Sequence, residues 1–115
     1  MRIEIKRVYE EPDVADGLRI LVDRLWPRGL SKGKAQVDIW LKDIAPSTEL
    51  RKWFGHEPAR WAAFQAKYRR ELKSNADLVA VLKEKAAKGR VTLLYGAKDV
   101  IHNEAVVLQE LLQAK

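Results

Sequence analysis

The sequence predicts an α/β fold: a small, mostly parallel sheet with helices packed around it in one compact, helix-rich domain. Three observations predict it. Residues 18–23 and 91–95 are short, nearly continuous apolar runs, the pattern of strands covered on both faces. Between them, apolar residues recur at helical spacing. The order strand, strand, several helices, strand, helix fits a layered α/β domain. At 115 residues and 47% hydrophobic, with four Trp, the chain has the size and apolar content of a single domain over residues 1–115.

The elements follow in order. Residues 2–9 alternate, with Ile3 and Ile5 on one face and Glu4 and Lys6 on the other, which predicts a strand near a sheet edge. Residues 10–17 are acidic and carry Pro12 and Gly17, so they form a loop or short turn. Residues 18–23 are the buried second strand. It follows the first either by a compact crossover, if parallel, or by a hairpin. Residues 25–34 hold Pro27, Gly29 and Gly33 and make a long connection over the strand end. Val37, Trp40, Leu41 and Ile44 then fall at helical spacing, which predicts a short helix or helical turn over 35–44 with Trp40 facing the core.

Pro46 stops that turn, and Ser47 caps a helix over 48–54 that ends at Gly55. Pro58 suits the first turn of the next helix, whose apolar face is Trp61, Phe64, Tyr68 and Leu72. Ser74 or Asn75 caps another, with Leu78, Val81, Leu82 and Ala86 as its stripe and Gly89 at its end. After the strand at 91–95 comes a polar loop. Asn103 then caps a final helix with Ala105, Val106, Leu108, Leu111 and Leu112 as its stripe.

Composition excludes some chemistry. The chain has no Cys, which removes disulfides, thiolate nucleophiles and Cys-ligated metals. No apolar stretch approaches the roughly 18 residues a membrane span needs, and charges interrupt the first residues, so no signal peptide is expected. The expected location is cytoplasmic. The net charge of +6 is uneven: residues 24–73 hold twelve Lys/Arg against five Asp/Glu, and all four Trp. A basic, aromatic segment fits an anionic partner.

Three segments are distinctive together: Val22-Asp23-Arg24-Leu25-Trp26-Pro27-Arg28-Gly29, Ala45-Pro46-Ser47-Thr48-Glu49-Leu50-Arg51-Lys52-Trp53-Phe54, and Thr92-Leu93-Leu94-Tyr95-Gly96-Ala97-Lys98-Asp99. They resemble the YeaO-like branch of a bacterial domain-of-unknown-function family, over nearly the whole chain. The resemblance implies a small cytoplasmic α/β protein and no established reaction. Members are sometimes labelled MarR-like regulators, although no winged helix-turn-helix pattern is present here. Longer relatives look similar at the strand-end acidic-basic pair, but carry Cys and a Cys-His-Arg run after a late strand. The corresponding loop here reads Tyr95-Gly96-Ala97-Lys98-Asp99 and then Ile101-His102-Asn103, so thiol chemistry does not transfer.

Ligands of open α/β sheets bind outside the carboxyl ends of the strands. If 18–23 and 91–95 are adjacent and parallel, Asp23, Arg24, Trp26 and Arg28 face Tyr95, Lys98, Asp99 and His102, beside the helix that Asn103 starts. The expected ligand is a small anion bearing phosphate or carboxylate. Arg24 and Arg28 bind it, Trp26 stacks on it, and Lys98, Asp99 and Asn103 complete the pocket. The free N–H groups of the final helix favour negative charge. Asp23, His102 and Tyr95 are the candidates for moving protons. The plainer alternative is that Asp23 pairs with Arg24, Arg28 or Lys98 and braces the loops.

Two other readings stand beside this one. The basic segment 51–73 offers a nucleic-acid or protein surface, without a recognised reading motif. His56 and His102 with Asp23 and Asp99 offer a divalent metal site, but none of the usual two-His spacings is present, so no metal ligand is assigned. The glycines form no phosphate-binding loop, and no cofactor is assigned.

Overall fold

The computed structural model describes residues 2–114. Four strands form one parallel sheet: β1 (Ile3–Arg7), β2 (Leu18–Leu21), β3 (Ile39–Trp40) and β4 (Val91–Tyr95), in the spatial order β1-β4-β2-β3. The α-helices are α1 (Lys32–Ala35), α2 (Thr48–Phe54), α3 (Trp61–Ser74), α4 (Ala76–Lys88) and α5 (Glu104–Gln113).

β4 lies between β1 and β2, with Val91 in register with both Ile3 and Leu18. Every residue of β4 is buried, as its unbroken apolar sequence requires in a central parallel strand. β1 is an edge strand whose residues after Ile3 are only half-buried, in keeping with its alternation. All strand pairs are parallel, which rules out the hairpin between β1 and β2. It also leaves no β-wing of a winged helix among the described residues.

The crossover from β1 to β2 is tight because a buried charge anchors it. Asp16 ends a 3-10 turn (Val14–Asp16) capped by Asp13. Its carboxylate takes bonds from Arg19 on β2 and Lys6 on β1, and its carbonyl accepts the Thr92 hydroxyl on β4. One residue thus ties three strands together. Burial alone would raise the Asp16 pKa. The backbone N–H of Asp13, with Lys6 and Arg19, outweighs it and holds the carboxyl below its usual range. Gly17 follows at φ 66°, where an added Cβ would lie 2.4 Å from the Arg90 carbonyl oxygen.

The sheet faces are covered unequally. On one, Ile20, Val22 and Leu93 pack with Phe54, Phe64, Tyr68, Leu82 and Leu108 from the helices. On the other, Val8, Leu21 and Leu94 meet Ala35 of α1 and the half-buried Trp26, Leu30 and Val37 of the long connection.

The segment 35–44 departs from the expected helix. α1 ends after one turn at Gln36, whose φ is 47°. The chain then runs extended as β3 beside β2, and a 3-10 turn follows at Lys42–Ile44. Helical spacing loses here to tertiary hydrogen bonds. The Asp38 N–H donates to the Arg19 carbonyl, and the Arg19 N–H donates to the Asp38 carboxylate. Trp40 consequently sits at the sheet edge, 40% exposed, and not in a helical core stripe. Trp61 does join the core, stacked 5.6 Å from Phe64.

Ser47 and Asn103 cap α2 and α5 through their side chains as expected, and Gly55 ends α2 in the left-handed region. Asn75 lies at the α3–α4 junction without capping either helix. Its amide donates to the Asp43 carbonyl instead.

Candidate functional site

β2 and β4 are adjacent and parallel, so the residues after them share one end of the sheet. There a cleft of about 510 Å3 opens between the loop after β2, the 45–56 segment and the start of α5. That volume suits a small molecule. Pro27, Ala45, Pro46, Phe54 and Phe64 are buried and form an apolar floor; Asp23, Arg24, Glu104 and His102 are half-buried walls; Arg28, Arg51 and His56 are exposed at the rim.

Asp23 is fixed by the neighbouring strand end. Its Oδ2 accepts the Gly96 N–H at 2.8 Å. A Cβ at Gly96 would stand 2.9 Å from that oxygen, so glycine permits the approach. The second partner of Asp23 is the Glu104 carboxyl, which is hydrogen-bonded to it. Burial, then the charge and hydrogen bond of Asp23, push the Glu104 pKa well above the usual carboxylate range. None of the bracing pairs expected for Asp23 forms.

Arg24 takes the bracing role instead. Its Nε donates to the Pro46 carbonyl at 3.2 Å and its Nη2 to the Ala45 carbonyl at 3.0 Å, with Asp43 at 3.8 Å. The guanidinium therefore holds the loop that leads into α2, with two of its five N–H groups bonded there. Trp26 donates its indole N–H to the Leu30 carbonyl and meets Trp40 edge-on at 5.5 Å, bracing the long connection while lining the cleft. Arg28 keeps its side chain exposed at the rim, and its carbonyl accepts the Tyr9 hydroxyl.

His102 is held by a local turn. Asp99 Oδ1 accepts the N–H groups of Ile101 and His102, and Oδ2 lies 2.7 Å from His102 Nδ1. The bond from His102, with the two backbone N–H groups, lowers the Asp99 pKa to about 2. A carboxylate that is ionised at neutral pH assigns the proton to Nδ1 and leaves Nε2 as the free ring nitrogen. The ring sits edge-on to Trp61 at 5.2 Å.

Of the sequence-derived candidates, Asp23, Arg24, Trp26, Arg28, His102 and Asn103 line the cleft, whereas Tyr95, Lys98 and Asp99 do not. Asp99 lies behind His102. Tyr95 is 3% exposed at the end of β4, and burial raises its hydroxyl pKa. Lys98 is exposed. Asn103 is taken up by capping: Oδ1 accepts the Val106 N–H and Nδ2 donates to the Asp99 carbonyl.

The helix start differs from the expected open anion site. With Val106 capped by Asn103 and the Glu104 side chain lining the cleft, a carboxyl stands where an anion would approach. Glu104, Arg51 and the floor residues Phe54 and Phe64 were missed from sequence, and His56, weighed there only as a metal ligand, lines the cleft. An acid immediately after the N-cap Asn103 was the available signal for Glu104.

Among the described residues, no three His, Asp or Glu side chains converge as metal ligands do. No helix of the described residues is long and apolar enough to cross a membrane. On the basic segment, Trp53 is 39% exposed, with Arg60 at 5.4 Å and Lys67 at 5.1 Å from its ring centre.

Residues 2–115 match a family described as the inactive DUF488-N3 subclade. Uncharacterized protein YeaO of Escherichia coli (strain K12) is 46% identical over 114 residues, 99% of each chain. An uncharacterized protein of Mycobacterium tuberculosis (strain ATCC 25618 / H37Rv) is 42% identical over 114 residues, 99% of this chain and 96% of its own. No solved structure matches. With the match extending over nearly every residue, and two relatives similar from end to end, the chain belongs to the inactive DUF488-N3 subclade.

Proposed function

We propose that the protein binds a small ligand bearing phosphate or carboxylate in the cleft at the carboxyl ends of β2 and β4. The observation that carries this reading is the cleft itself: a small-molecule-sized cavity with an apolar floor and Arg28 and Arg51 at its rim. Guanidinium groups bind oxyanions through planar, paired donors. Arg24 presets the loop geometry, and His102 Nε2 offers a further polar contact. Binding without turnover suits a subclade described as inactive and a chain without Cys. The proton carriers considered for catalysis, Asp23, His102 and Tyr95, then act as binding or structural groups.

The test is a thermal-shift series with phosphate, sulfate, sugar phosphates and nucleotides on wild type, Arg28→Ala and Arg51→Ala. A ligand at a hundredfold excess over its Kd stabilises by about 2.7 kcal/mol. The expected result is a shift in wild type that either substitution removes. No shift with any anion overturns the reading.

The second reading is a nucleic-acid surface on the basic segment 51–73, favoured by the exposed Trp53 of α2 between Arg60 and Lys67. Single-stranded oligonucleotide binding that weakens steeply with salt and is lost in Trp53→Ala would support it.

A further inference from the structure

An anion at the rim leaves the inner half of the cleft without a counterpart. There the Asp23 and Glu104 carboxyls are hydrogen-bonded to one another, and among the described residues neither pairs with a Lys, Arg or His. Arg24, adjacent in sequence, directs its guanidinium at the Ala45 and Pro46 carbonyls. Asn103 takes the Val106 N–H, and the Glu104 carboxyl lines the cleft at the start of α5, where it repels an anion.

Acceptors and negative charge thus line the inner wall, and guanidinium groups line the rim. An alkylammonium supplies three N–H donors and a positive charge, which suits two adjacent carboxyls lining the cleft. A short methylene spacer suits the apolar floor at Phe54 and Phe64.

We propose that the cleft takes a zwitterion, a short primary amine bearing a carboxylate or phosphate, with its ammonium at Asp23 and Glu104 and its acid group at Arg28 and Arg51. This rests on the anion-site reading and names the ligand class for it.

Two matched pairs test it by calorimetry on the whole chain: phosphoethanolamine against propyl phosphate, and 4-aminobutyrate against pentanoate. Within a pair the acid group and length are shared, and only ammonium and methyl differ. The ammonium member is expected to bind about tenfold more tightly, in at least one pair. Glu104→Gln is expected to remove most of that preference. The wild-type comparison needs no variant, so it stands even if Glu104→Gln fails to fold. Equal or tighter binding of the methyl members overturns the inference and leaves the anion site standing. Absence of binding by both zwitterions also overturns it, and if the anion panel fails as well, the anion site falls with it.

Discussion

Gly96 and Gly17 share a residue type and differ in what surrounds them. At Gly96 an added methyl meets the Asp23 carboxylate, which can move. Gly96→Ala is expected to weaken one charge-assisted hydrogen bond, at a cost of about 1.5–3 kcal/mol, and to displace Asp23 from the cleft. At Gly17 the methyl meets the Arg90 backbone, and φ is 66°. Gly17→Ala is expected to cost about 3 kcal/mol, since overpacking adds to a left-handed conformation and neither partner can yield. Urea denaturation of both variants checks the values, and the Gly17 change should be at least as costly. Residue identity alone did not separate these cases. Both lie where a strand begins or ends, but only the pairing of distant segments sets what a Cβ would touch. The same holds for Glu104. Its acidic side chain after Asn103 was legible as a helix-start feature, whereas its bond to Asp23 depends on β2 and β4 lying side by side.

At the scale of elements, capping chemistry was readable because it is local. Ser47 and Asn103 each bond an N–H three residues on, as their helices were expected to start. They should nevertheless differ in cost. Asn103→Ala is expected to lose about 1 kcal/mol from α5. Each side chain also makes a second bond, but the Asn103 amide donates to the neutral Asp99 carbonyl, whereas the Ser47 hydroxyl donates to the Glu71 carboxylate at 2.6 Å; bonds to carboxylates are worth more, so Ser47→Ala should lose more. Thermal melts of the two variants test the order. The segment 35–44 shows where local reading stops. Its helical spacing was real, but Arg19 and Asp38 exchange backbone and side-chain bonds that place it on the sheet edge. Strand 91–95 was legible for the opposite reason: its apolar run left no other place than the sheet centre.

Across the whole molecule, a few carboxyls are displaced from their ordinary pKa in opposite directions, with opposite pH signatures. Asp16 and Asp99 are held below their ordinary value of 3.8, so they add stability above that pH and lose it as the pH falls, for Asp99 through about 2. Glu104 is raised above 4.5, so the folded state keeps a proton that the unfolded chain releases. Stability from this group is full below 4.5 and declines as the pH rises from there toward its raised value. Chemical denaturation across acid to neutral pH is therefore expected to show a maximum on the acid side of neutrality. Glu104→Gln should flatten the decline on the neutral side and leave the acid limb in place.

The strand order has a consequence for how the molecule comes to exist. The centre of the sheet is its last strand in chain order, so β1 and β2 have no direct contact to form when they leave the ribosome. Ile3 waits for Val91. Until β4 emerges, the apolar faces of both early strands and the helices between them lack their common support. The pairings of β1 and β2 with β4 are therefore deferred until β4 is made, while β2 and β3 can pair earlier.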